Sequence, residues 1–185
     1  MGGIYDGRCG NKNCSLLTGA IRIKNTAEVN QFTDQLMGNI TTELAFAGED
    51  FIIKRSDGLY AYQLAVVLDD AYQGVTEVVR GCDLIEATVR QESLYQLFGF
   101  KSPDWLHLPL ASIRQGYKLS KQNHATPIDK HKSHKTLQAA LGFLGQNIPE
   151  LDHVDIMLKQ AVAEFDLHKT PTSHEVIINA NGDNK

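Results

Sequence analysis

The sequence predicts an α/β fold, and three observations carry that expectation. A strand-like apolar run at residues 74–81 is followed by a helical pattern opening at Thr88 and a second apolar run at 105–110. Strand, helix, strand at this spacing is a βαβ unit, with parallel strands and a right-handed crossover. Apolar residues also recur at helical spacing over 62–72, 135–144 and 152–165. Finally, the chain has 185 residues, 42% hydrophobic and 22% charged, which suits one domain with its own core or one domain plus an appendage.

Taken in order, the first 20 residues are rich in Gly and Asn, hold Cys9 and Cys14, and show no periodicity. They read as a loop or a small knuckle. Ile21-Arg22-Ile23-Lys24 alternates as a short strand does. Residues 51–55 and 59–62 flank Ser56-Asp57-Gly58, where Asp-Gly supplies the positive φ of a tight hairpin turn. From Tyr62 to Tyr72 a helix is predicted, with Leu64, Val67, Leu68 and Ala71 on its buried face. Residues 74–81 then read as a short buried strand.

Thr88 with Gln91 three residues later is a capping-box pattern. It opens a helix through Phe98, with Leu94, Leu97 and Phe98 apolar, and Gly99 stops it. Trp105-Leu106-His107-Leu108-Pro109-Leu110 reads as one apolar strand, and 112–125 as a polar loop. Two helices follow. The first spans about 135–144 with Gly145 as its cap, and the second about 152–165 with Val154, Met157, Leu158, Ala161 and Phe165 on one face. The tail from Asn179 is polar and expected to fray.

Composition narrows function. A net charge of −4 argues against a protein that coats nucleic acid non-specifically. The average hides a basic stretch from Arg114 to Lys135, with Lys118, Lys121, Lys130 and Lys132 between them and Asp129 the one acid. His124, His131 and His134 lie there too, so this is where phosphate would be met. No apolar run reaches the roughly 18 residues of a membrane span, so no membrane partner is expected. The N-terminus shows neither the basic nor the apolar region of a secretory signal. Cys9, Cys14 and Cys82 are odd in number and unevenly spaced, which is no disulfide framework and points to the reducing cytoplasm. The layout is also lopsided. A doubly wound nucleotide-binding sheet needs two βαβ halves and only one is visible, with no Gly-rich loop before it.

Lys118-Leu119-Ser120-Lys121-Gln122 is the strongest chemical feature. Two lysines three apart on a loop after a strand can reach a polyphosphate and neutralise developing charge. On spacing alone, a solvated Lys-rich loop is the plainer reading. Unaided, Tyr62 reads as a core aromatic at a helix start, Arg80 as a surface ion pair, and Asp69-Asp70 as helix-end polar residues rather than a metal pair. Cys82 reads as a buried inert thiol.

Residue identities add to this. The 118–122 loop resembles the second signature of class I aminoacyl-tRNA synthetases, Lys-Met-Ser-Lys-Ser, in a Leu/Gln variant. Residues 50–70, which include Lys54-Arg55-Ser56-Asp57-Gly58 and Tyr62-Gln63-Leu64-Ala65, look like the glutamyl-type catalytic core. So do residues 73–81, Asp83-Leu84, and His107-Leu108-Pro109-Leu110. Within that group the chain is most similar to the glutamyl-queuosine tRNA(Asp) synthetases, on residues 118–125 and on Gly2-Gly3-Ile4-Tyr5-Asp6-Gly7-Arg8-Cys9.

The resemblance implies the C-terminal half of a class I synthetase Rossmann-like catalytic domain followed by a small helical segment. Residues 1–30 would be a remnant of the zinc-binding subdomain, 31–125 the catalytic half with its loop at 118–122, and 126–185 the helical segment. It implies that Tyr62 and Arg80 bind L-glutamate, that Lys121 contacts ATP (with Mg2+) and is catalytic, and that Lys118, Leu119, Ser120 and Gln122 shape the loop. Tyr5 and Cys9 match half of the family's structural zinc site. Its Cys-x-Cys pair is absent from the sequence, so no stable zinc is expected.

The implied reaction is ATP-dependent activation of L-glutamate and its transfer to queuosine in the anticodon of tRNA(Asp). The family's first signature, of His-Ile-Gly-His type, is not among the 185 residues. The expectation is therefore an N-terminally truncated chain, inactive alone, with a missing N-terminal half as partner. Two alternatives stay open. One is a fragment of a discriminating glutamyl-tRNA synthetase, against which Gln122 and the short stretch after it speak. The other is a non-catalytic module that binds RNA or a partner through 114–135.

Overall fold

A computed structural model of the chain describes residues 4–10, 12, 19–120, 122–123, 125 and 127–178. Cys14, Lys121, His124 and the tail from Asn179 lie outside the described residues. The fold is α/β, in two compact units: Met1–Val79 with Leu84–Leu106, and Arg80–Asp83 with His107–Lys185.

In the first unit, β1 (Ile21–Arg22) pairs antiparallel with β4 (Ile52–Lys54). β2 (Gln31–Asp34) and β3 (Gly38–Thr41) form a hairpin in register from Gln31 opposite Thr41 to Asp34 opposite Gly38. Sequence reasoning missed this hairpin because Gln-Phe-Thr-Asp and Gly-Asn-Ile-Thr hold one large apolar side chain each, too few to show an alternation. What closes it is the buried Asp34 carboxylate, which accepts from the Leu36 and Met37 amides at 3.0 and 2.8 Å. A four-stranded sheet runs β3-β2-β6-β5, where β5 is Glu77–Gly81 and β6 is Asp104–Leu108, with β2 and β6 parallel. The expected β–α–β unit is present, its crossover being α3 (Thr88–Phe98). β5 is an edge strand rather than a buried one, and Val79 is 56% exposed.

The Asp57-Gly58 hairpin forms with Gly58 at φ 89° and the Arg55 amide donating to Leu59 O at 2.7 Å. After the short α1 (Leu44–Ala47), the main helix facing the core is α2 (Tyr62–Gln73). Its buried stripe follows Leu64, Val67 and Ala71. Leu68 is 41% exposed, because at 100° per residue it falls at the rim of that stripe. The core joins Phe51, Val67, Leu94, Tyr95 and Trp105, with Tyr95 and Trp105 edge-on at 6.3 Å. Glu92 accepts from the Trp105 indole N–H and from the Ser102 hydroxyl, so the buried ring is satisfied.

The capping box at Thr88 does not form. A 3-10 turn (Cys82–Leu84) leads into the helix and the cap residue, Ala87, is already helical, so no extended cap presents a side chain to the third amide. Thr88 instead donates its hydroxyl to Leu84 O at 3.2 Å, and Gln91 donates to Gln63 Oε1 at 2.6 Å. Phe98 is also partly outside the core, 38% exposed.

In the second unit, the apolar run 105–110 divides. Pro109 has no N–H for a ladder, and the chain leaves β6 to start β7 (Leu110–Arg114) in a different sheet. β7 pairs antiparallel with β8 (Tyr117–Lys118), around Gly116 at φ 74°, and parallel with β9 (Glu175–Ile177). Part of the expected polar loop is therefore a hairpin. α4 (Ser133–Phe143) packs on α5 (Val154–Glu164), burying Leu141, Met157 and Ala161, whereas Leu158 and Phe165 stay exposed. The Gln146 amide joins the two ends of this helical pair. It donates to Leu144 O, Asp166 O and Thr170 Oγ1, and accepts from the Asp166 amide at 2.9 Å.

Candidate active site

Arg80 sits near the C-terminal end of β5, in the second unit. Its Nε donates to Nε2 of His107 at 2.9 Å, and His107, on β6, is fully buried. Because Nε2 accepts, the ring is neutral there and its proton lies on Nδ1. The buried Cys82 thiol meets the His107 carbonyl oxygen at 3.7 Å, consistent with the structural role read from sequence.

The lysine-rich loop starts from β8. The Leu119 amide donates to Ala111 O at 2.7 Å, which fixes the loop to β7. Lys118 Nζ pairs with Asp83 Oδ2 at 2.5 Å. Past it, the amides of Asn123 and Ala125 both donate to Ser120 O at 3.1 Å, and Asn123 Nδ2 donates to Lys118 O at 2.8 Å. Ser120, Asn123 and Ala125 are thus tied together by hydrogen bonds, with Leu119 and Gln122 exposed. Lys121 itself lies outside the described residues.

Gly81 links the two features. A Cβ there would stand 2.8 Å from Asp83 Oδ1 and 3.0 Å from Leu110 Cδ2, so the Asp83 carboxylate takes the space that glycine leaves. The strand end that carries Arg80 is thereby joined to the base of the lysine loop through Asp83 and Lys118.

Tyr62 is the first residue of α2, in the first unit, and is 55% exposed. This corrects the core-aromatic alternative. The helix start turns its ring away from the stripe of Leu64 and Val67.

Tyr5 and Cys9 do meet. The Cys9 amide donates to Tyr5 Oη at 2.7 Å, and a side-chain hydrogen bond to Cys9 raises the Tyr5 phenol above its ordinary range. Glu49 holds this turn. It accepts the Tyr5 amide at 2.8 Å and pairs with Arg90 and Arg22, whose guanidinium lies 4.0 Å over the Tyr5 ring. Burial lowers the Arg90 pKa, and Glu49 opposes that shift. Among the described residues no group of three or more His, Cys, Asp or Glu is placed to hold a metal. Tyr5 and Cys9 alone do not close a tetrahedral zinc site.

Sequence reasoning quoted His107 and Asp83 only as parts of a resemblance. Their partners stand 27 and 35 residues away in sequence, beyond any local pattern.

Residues 11–144 match the family described as tRNA synthetases class I (E and Q), catalytic domain. The chain belongs to this family. Among its relatives is a "Glutamyl-Q tRNA(Asp) synthetase" of Shewanella frigidimarina, 57% identical over 98% of this chain and 62% of the relative. Proteins of the same name from Shewanella oneidensis and Escherichia coli K12 are 60% and 53% identical, over 97% and 94% of this chain and 60% and 57% of their own lengths. The chain therefore spans about three-fifths of the curated relatives it matches. A crystal structure of a glutamate tRNA ligase from Elizabethkingia meningosepticum, in complex with its amino acid, shares the fold. Its TM-score is 0.63 at 21% identity, covering 88% of this chain and 37% of that one. Among the described residues no helix is long and apolar enough to cross a membrane.

Proposed function

We propose that the protein serves the two-step reaction of the glutamyl-Q tRNA(Asp) synthetases, in the cytoplasm. A carboxylate oxygen of L-glutamate attacks the α-phosphorus of ATP. Pyrophosphate leaves with the electron pair of the broken P–O bond, giving glutamyl-adenylate. A hydroxyl of the cyclopentenediol of queuosine, in the anticodon of tRNA(Asp), then attacks the activated carbonyl and AMP leaves.

The observation that carries this reading is identity of 57–60% to proteins of that name over 97–98% of the chain. Arg80 supplies a planar fork that matches a carboxylate, and the exposed Tyr62 hydroxyl donates to glutamate. Lys121 neutralises phosphate charge as the α-phosphorus is attacked, and Mg2+ accompanies ATP. Lys118, bound to Asp83, sets the base of the loop, with Leu119, Ser120 and Gln122 completing it. In this reading 1–30 belongs to a zinc-binding subdomain, 31–125 to the catalytic domain and 126–185 to a helical appendage.

The first signature is not among the 185 residues. Glutamate-dependent ATP–pyrophosphate exchange is therefore expected only when a first-signature segment from a relative such as the Shewanella oneidensis protein is supplied. Exchange should then require L-glutamate but not tRNA. Equal exchange with L-aspartate or L-glutamine contradicts the assignment, and robust exchange by the unsupplemented chain contradicts the need for that segment.

A further inference from the structure

We propose that His107 is the positioning residue of Arg80, a buried neutral imidazole that sets the plane of the guanidinium and so determines how tightly glutamate is held. The inference rests on the reading that Arg80 binds glutamate. Three features of the structure lead to it.

First, His107 lies within the apolar run Trp105–Leu108 of β6. Its neighbours are Trp105, Leu106 and Leu108, and it is fully buried. A buried imidazole costs free energy unless its polar atoms are bonded, so an aliphatic residue would serve packing better. Second, the bond runs from Arg80 Nε, not from a terminal nitrogen. Nε is the inner nitrogen of a planar group, so an acceptor fixed there limits rotation about the Cδ–Nε bond and directs the two terminal nitrogens. Third, the acceptor is neutral. A carboxylate at Nε would offset the guanidinium charge and compete with a carboxylate ligand, whereas Nε2 of a neutral ring accepts one hydrogen bond and brings no opposing charge to Nε. The backbone at His107 is itself held, because its carbonyl oxygen is in contact with the Cys82 thiol, two residues beyond Arg80.

Two readouts on the intact chain test this, with His107→Leu to remove the acceptor and His107→Gln to restore one. Nitrogen NMR should show a neutral Nδ1–H imidazole for His107, with scalar coupling across the Arg80 Nε–H···Nε2 bond. A protonated ring, or no coupling, overturns the proposal whatever the ligand results. Titration with L-glutamate, the first-signature segment being supplied, should then give a dissociation constant about tenfold weaker in His107→Leu, as expected for losing one hydrogen bond to a charged group. His107→Gln should lie within about threefold of the unaltered chain. Equal affinity in the unaltered chain and in a folded His107→Leu overturns the positioning role. If His107→Leu does not fold, a His107→Gln variant that folds but loses affinity as fully as Arg80→Ala overturns it too. Coupling present with no glutamate binding by the unaltered chain when the first-signature segment is supplied is the separate signature that the glutamate reading itself fails, and the proposal falls with it.

Discussion

Lys121 and Gly81 are the two residues at which replacement is most informative. Lys121→Ala should lower the rate of adenylate formation about 10²–10³-fold, the usual loss when one preorganised charge at a reacting phosphate or oxyanion is removed. Lys130→Ala, on the same basic stretch, should change it less than about twofold, because a solvated charge away from the reacting atoms is screened. ATP–pyrophosphate exchange reads both, and equal effects would contradict the assigned loop. Gly81→Ala makes a different point. The added methyl would meet the far end of the flexible Asp83 side chain at 2.8 Å, so the fold should yield by less than about 1 kcal/mol. The displaced carboxylate would no longer hold Lys118, and exchange should fall more than stability does. Chemical denaturation beside exchange separates the two. At this scale motif resemblance named residues that the structure places in one unit, and their chemistry is what the exchange assays read. Arg80 and Lys118 were named from motif resemblance and lie in one unit, Arg80 on the strand joined to the loop's base. The sequence was uninformative where a role is made by a distant partner, as for His107 and Asp83.

At the scale of elements, two glycines near the end of α4 should behave oppositely. Gly145 has φ 69°, and a Cβ there would lie 2.4 Å from Lys169 O, a backbone atom. Gly145→Ala should destabilise the second unit by about 2–4 kcal/mol, from the left-handed conformation and the clash together. Gly142, within α4, would place its Cβ 3.4 Å from Ile148 Cδ1, so Gly142→Ala should stabilise by up to about 1 kcal/mol through helix propensity. In the first unit, Glu49→Ala leaves the half-buried Arg90 and the Tyr5 amide without this acceptor. A loss of about 2–3 kcal/mol is expected there. Urea titration followed by tryptophan fluorescence suits the last case, since Trp105 belongs to the core of that unit. Helices α2, α4 and α5 were legible from their apolar period, and α3 from Leu94, Leu97 and the Gly99 stop, although its buried face also holds Thr88, Gln91 and Ser93. The β2–β3 and β7–β8 hairpins were not, because β2, β3 and β8 are two to four residues long with one apolar or aromatic side chain each, and their pairing is decided by the Asp34 turn and by Gly116. The strand at 105–110 was overread, since Pro109 breaks an apolar run that composition alone presents as continuous.

For the whole molecule, class and family were legible in the sequence while the division of the chain was not. One βαβ unit was enough to announce α/β, but the boundaries between the two units fall within β5, within the 3-10 turn Cys82–Leu84 and within β6, where no linker composition marks them. The acidic net charge and the basic 114–135 stretch together suit local rather than non-specific contact with phosphate, in keeping with the proposed reaction. The most direct measurement is transfer of labelled L-glutamate to purified tRNA, with ATP, Mg2+ and the first-signature segment supplied. Labelling of tRNA(Asp) that carries queuosine, with none of queuosine-free tRNA(Asp) or of tRNA(Glu), is the predicted result. Charging of tRNA(Glu) at its acceptor end, or salt-sensitive tRNA binding with no glutamate transferred to any of the three, would contradict it.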